Sequence, residues 1–188
     1  MRPVIVTPPA TEPVSLTEAQ THLRISGEAD YVNSLITSAR VQVERYLNRA
    51  LITQTWDVYY SFWSYDMRLP YAPVQSVTSV KYFDLDGNEQ TLSSSLYWTV
   101  TSADPAAIVR KYETTWPELQ YGRPDAIVIR IVCGYGAASA VPEPIKHAIK
   151  LLMTDMYENR GTQVIGTSAT KIPNYITDLI HSYKIYEF

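Results

Sequence analysis

The residues able to do chemistry are few and scattered. Asp84-Leu85-Asp86-Gly87-Asn88-Glu89 invites a calcium reading, but an EF-hand loop needs its glycine two positions later. Asp-Gly is a preferred hairpin turn pair, and a turn accounts for these residues without an ion. His22, His147 and His181 stand far apart in sequence, none beside a second ligand at metal spacing, and each reads as a helix-surface residue. The one cysteine, Cys133, ends an apolar strand, where an inert buried thiol is the default; Arg130 is the only positive charge near enough to activate it. Gly134-Tyr135-Gly136 lacks the longer glycine spacing and the lysine of a phosphate loop, and no nucleophile elbow occurs. Arg40, Arg45 and Arg49 recur at near-helical spacing and could touch phosphates. The plainer reading is a solvated helix face with intrahelical pairs such as Arg40 with Glu44. These residues make no enzyme, bind no cofactor and hold no metal.

Composition narrows the class further. A chain of 188 residues with 46% hydrophobic and 19% charged residues is globular and long enough for one well-buried domain. A formal net charge of −3 argues against wrapping DNA, which requires a lysine and arginine stripe. One cysteine excludes an intrachain disulfide framework, no apolar run approaches a membrane span, and Met1-Arg2-Pro3-Val4 lacks a signal-peptide core. The expectation is a soluble, reduced, intracellular protein. Tyrosine is in excess, 15 against 3 phenylalanines. Two explanations stand: protein interfaces favour a ring that is dry on one side and wet on the other, and half-exposed strands favour aromatics anyway.

The elements that would position these residues follow from periodicity. Pro3, Pro8, Pro9 and Pro13 make residues 1–14 an extended arm, either lying on a neighbouring subunit or disordered. Ser15-Leu16-Thr17-Glu18 is a capping box, opening a short helix that stops near Ser26-Gly27. A second helix runs from about Asp30 to Asn48, with Val32, Leu35, Ile36, Ala39, Val43, Tyr46 and Leu47 on one face. Alternation then marks strands at Trp56 to Phe62, Val77 to Phe83, Gln90 to Leu92, Leu96 to Thr101, Ala107 to Val109 and Ala126 to Val132. Short strands without intervening helices imply an antiparallel sheet or small barrel. Helix resumes at Pro142-Glu143-Pro144 and ends at Gly161; Gly161 to Thr170 reads as a mobile loop, and a last short helix begins near Pro173. The predicted fold class is α+β: a helical bundle core from the N- and C-terminal helices with an antiparallel β-rich insertion at 51–136. Residues 1–188 form a single domain in this plan.

Several segments read in order resemble the head–tail connector (adaptor) proteins of tailed bacteriophages. They are Val14 to Arg24, Glu44 to Trp56, Leu69-Pro70, Pro73 to Val77, Tyr82 to Gly87, Gly134 to Gly136, Val141 to Ile145 and Met156 to Arg160. The resemblance implies a non-catalytic virion protein at the head–tail interface, assembled in the host cytoplasm. Its subunits form a homo-oligomeric ring, expected to be a dodecamer, beneath the portal protein. The ring meets a stopper or tail-completion protein and lets double-stranded DNA pass without specific binding or any membrane contact. It also implies a portal-docking segment near 173–188. Within it the tail 184–188 is expected to dock, with Tyr183, Ile185, Tyr186 and Phe188 as portal anchors. The loop carrying Gly161, Gly166 and Thr170 is expected to become ordered on assembly. The competing class is a monomeric protein-binding module with a β-rich recognition domain.

Overall fold

A computed structural model describes residues 1–160 and 172–186. They contain eight strands and four α-helices, and the chain divides into two compact units.

The first unit comprises Met1–Ala10 and Thr53–Tyr135. Its larger sheet has five antiparallel strands in the order β1 (Arg2–Thr7), β2 (Gln54–Tyr60), β8 (Ile127–Cys133), β4 (Val74–Phe83) and β5 (Glu89–Thr91). A smaller sheet has the order β3 (Asp66–Arg68), β7 (Ala107–Arg110) and β6 (Tyr97–Val100). Strand β8 is central because its sequence alternates cleanly. Ile127, Ile129, Ile131 and Cys133 are buried on one face, while Arg130 on the other pairs with Asp57 of β2 through two 2.7 Å hydrogen bonds. Each buried isoleucine contributes roughly 1.5–3 kcal/mol by leaving water. Strand β4 carries register shifts at Val74/Ser76 and Val77/Ser79, which bend it where it meets β8.

The second unit comprises Thr11–Ile52 and Gly136–Tyr186. Helix α1 (Leu16–Leu23) opens with the expected capping box: Ser15 Oγ accepts from the Glu18 amide at 3.2 Å, and Glu18 Oε2 accepts from the Ser15 amide at 2.8 Å. It ends earlier than predicted, at Arg24, which takes the left-handed conformation without needing the later glycine. Helix α2 (Ala29–Leu47) buries Val32, Leu35, Ile36, Ala39, Val43 and Leu47, as its period requires, and stops at a left-handed Asn48. Helix α3 (Glu143–Glu158) packs on α2 through Ile145, Ala148, Ile149, Leu152 and Met153. Helix α4 (Asn174–Ile180) closes the unit with Ile176 and Ile180.

The predicted class, a helical bundle core carrying a β insertion, is incorrect. Eight strands in two antiparallel sheets outnumber the four helices, and the sheets own a separate core. The reason lies at the N-terminus. Residues 2–7 are not an unpaired arm: they form β1, paired from Arg2↔Tyr59 to Thr7↔Thr55. A sheet recruiting strands from both sides of the first two helices is not an insertion. Pro3 fits there because an outer strand tolerates a missing donor. Strand β2 also ends at Tyr60, leaving Phe62 exposed and outside the alternation.

The capping box carries a testable pH dependence. Glu18 titrates below the usual carboxylate range, chiefly because the Ser15 amide and then the Ser15 hydroxyl bond its ionised form. A depressed folded pKa stabilises above the unfolded value and loses that stabilisation as pH falls through the folded one. Ser15→Ala is expected to cost about 1 kcal/mol at neutral pH and less at pH 3. Urea unfolding at both pH values checks this, and an equal penalty would contradict a share for the carboxylate.

Candidate assembly surfaces

The segment Tyr183–Ile185 is tied into the second unit by three hydrogen bonds. The Ile185 amide donates to the Leu47 carbonyl at 2.9 Å, Asn48 Nδ2 donates to the Ile185 carbonyl at 2.9 Å, and Arg49 Nε donates to the Tyr183 carbonyl at 2.5 Å. Helix α2 therefore ends on a left-handed asparagine whose side chain holds the tail. Ile185 is only 8% exposed, so it serves the chain's own core. Tyr186 is 46% exposed, and its hydroxyl lies 3.0 Å from His181 Nε2. Lys184 Nζ stands 4.6 Å from the Tyr46 ring centroid and 5.3 Å from that of Tyr186. The structure thus brings Tyr183, Ile185 and Tyr186 together at the end of α2, with Ile185 turned inward and Tyr183, Lys184 and Tyr186 on the basic and aromatic outer side. Phe188 and the loop residues Gly161, Gly166 and Thr170 lie outside the described residues. Just before that loop, Arg160 sits 4.7 Å from the Tyr31 ring and 4.5 Å from the Tyr157 ring, and pairs with Glu28 at 2.7 Å. Those contacts anchor the end of α3 to the start of α2.

The chemical candidates resolve into structural roles. Asp84 folds a turn: its Oδ1 accepts from the amides of Asp86 at 3.1 Å and Asn88 at 2.9 Å, and its Oδ2 accepts from Gln90 Nε2 at 2.8 Å. Its pKa is lowered first by the Gln90 bond. Gly87 takes φ +80°, which the turn requires and a side chain would strain. His22 and His147, far apart in sequence, meet edge-on with ring centroids 6.3 Å apart, because α1 packs beside α3. The pKa of His22 is lowered by burial and then by the charges of Lys150 and His147. Among the described residues no three histidine, cysteine or acidic side chains gather as a metal site. No helix among them is long and apolar enough to cross a membrane.

Arg40 departs from the solvated-face reading. It is 7% exposed and bonds Glu12 at 2.7 Å as well as Glu44 at 2.6 Å. With Arg49 holding Tyr183, two of the three arginines in that row are engaged inside the fold and the row is no phosphate stripe. Cys133 is fully buried, its Sγ 3.7 Å from the Gln54 carbonyl. It should resist a thiol reagent such as DTNB in the native protein and react fully after unfolding. Stoichiometric labelling of the native chain would contradict the inert assignment.

Sequence reading missed two kinds of surface. Phe62, Tyr65, Trp98, Tyr112 and Tyr121 stand exposed in the first unit, where periodicity alone did not tell outward rings from inward ones. The outer edge of β1 was hidden behind the expectation of an unpaired arm.

No protein-family model matches the sequence, and no curated protein matches it. Solved structures do. A chain in the neck of an empty gene transfer agent (GTA) particle, computed with C6 symmetry, is 22% identical at TM-score 0.81. A chain in the virion of a native GTA particle is 22% identical at TM-score 0.80, and one in the neck of a native particle computed with C12 symmetry is 22% identical at 0.75. Each comparison covers 100% of this chain and 97% of the other. The likeness agrees with the connector resemblance read from the sequence: this chain has, over its whole length, the fold of chains found in the necks and virion of gene transfer agent particles.

Proposed function

We propose that this chain is a virion structural protein of the head–tail connector type, forming a ring beneath the portal that joins head to tail and extends the DNA channel. The observation that carries the reading is the end-to-end structural likeness to neck chains at TM-scores of 0.75 to 0.81. The C6 and C12 symmetries of those necks support a ring of copies, and twelve is the number we expect. The role is structural rather than catalytic, in keeping with side chains that serve turns, caps and ion pairs. A mildly acidic chain suits a lumen through which duplex DNA slides without sticking. In this reading residues 1–188 act as one connector domain built from both units. Portal protein meets the surface of Tyr183 and Tyr186 with Phe188, a stopper or tail-completion protein meets another face, and the Gly161–Thr170 loop orders on assembly.

Mixing the purified chain with its portal protein and imaging by negative stain tests the proposal. A ring stacked coaxially on the portal is the expected result. Separate particles at high concentration would overturn it in favour of a monomeric binding module.

A further inference from the structure

Strand β1 is an outermost strand: β2 pairs with one side of it, and no described strand lies on the other. An outer strand offers a row of amide and carbonyl groups to any extended chain, and proteins ordinarily blunt such edges with charge, proline, bulges or shortness. The opposite edge of this sheet is blunted. Strand β5 has only three residues, all exposed, and its Glu89 pairs with Lys81 at 2.6 Å. Strand β1 is less protected. Pro3 stands at its start and a register shift lies between Ile5 and Thr7, but Val4, Ile5 and Val6 form an uncharged, β-branched run that is 42%, 43% and 43% exposed. Successive strand residues face opposite ways, so three exposed in a row leave both faces uncovered along this edge.

We infer that the outer edge of β1 is a subunit interface, and that a second copy of this chain occupies it by laying an extended segment along Val4–Val6. The inference rests on the ring reading above. Two observations select a copy over a different protein. Cyclic assemblies such as the C6 and C12 necks place identical chains side by side. Charge agrees as well: β1 contributes Arg2 and no acid, whereas the rest of its unit carries more acidic than basic residues.

The test attaches a benzophenone maleimide to Val6→Cys, with Gln90→Cys on the guarded edge as control, then assembles each with the portal protein and irradiates. A product at twice the chain's mass from position 6, and little from position 90, is expected only in samples where stain images show rings. Rings in which position 6 links to portal alone, or to nothing, would overturn the inference while leaving the ring reading intact. Absence of rings from the unlabelled chain would overturn both. Hydrogen exchange of the unlabelled chain removes dependence on the probe: β1 amides should slow by about tenfold or more on ring formation. Unchanged exchange would count against the interface.

Discussion

Replacing Arg40 with methionine is expected to lower stability by about 3 kcal/mol, near the bottom of the range for breaking a buried ion pair. The guanidinium joins two carboxylates that are engaged elsewhere. Thr37 Oγ1 donates to Glu12 Oε1 at 2.9 Å, and the Leu51 amide donates to Glu44 Oε1 at 2.9 Å. Burial alone would depress the guanidinium pKa; the hydrogen bonds and charges of Glu12 and Glu44 outweigh it, and the net shift is upward. Methionine fills the stem's volume but leaves Glu44 charged in a site where its side chain is only 13% exposed. Glu12 is more open and rehydrates, which is why the upper end of the range is not expected. For a chain of this size the loss corresponds to a fall in Tm of about 6–12 °C. Arg40→Met with Glu44→Gln should recover part of it, because one of the two carboxylates beside the methionine is then neutral. Urea unfolding decides: a loss under about 1 kcal/mol would mean that the triad is solvated and adds little.

The second large effect separates packing from docking at the chain end. Ile185→Ala should destabilise by about 2–4 kcal/mol through the cavity it leaves beside Leu47. Tyr186→Ala should cost less, about 1 kcal/mol or below, since the residue is 46% exposed and loses one exposed hydrogen bond to His181. On the connector reading Tyr186→Ala instead weakens portal binding, while Ile185→Ala at a temperature where it stays folded does so less. Thermal unfolding and portal pull-down of the two variants give the comparison. If Tyr186→Ala binds like the parent, the tail surface is not the docking site. Deleting residues 184–188 would confuse the two effects, because Ile185 holds the fold.

Much of the local structure was legible because it depends on neighbours in sequence. The capping box at Ser15 and Glu18, the buried face of α2, the alternation of β8 and the turn at Asp84–Asn88 are all short-range patterns, decided within one or two turns of chain. The collinear connector resemblance was legible too, since it rests on the order of such segments. Tyr183, Ile185 and Tyr186, the proposed docking residues, were recognisable as apolar and aromatic, but not which of them faced inward.

Tertiary structure decided the rest. The proline-rich start became β1 because β2 offered it a free edge, and that pairing joined strands from both sides of α1 and α2 into one sheet. Arg40 went inside because Glu12, 28 positions away, supplied a second carboxylate. His22 and His147 met only when α1 packed beside α3. Ile185 was claimed by the end of α2, 138 positions before it, through one backbone-to-backbone bond and one from the Asn48 side chain. Backbone hydrogen bonding and burial depend on which distant segments arrive, and no local pattern of side chains encodes that arrival. Residue type and spacing determined the elements and their class of chemistry; long-range pairing determined which surfaces remain for a partner.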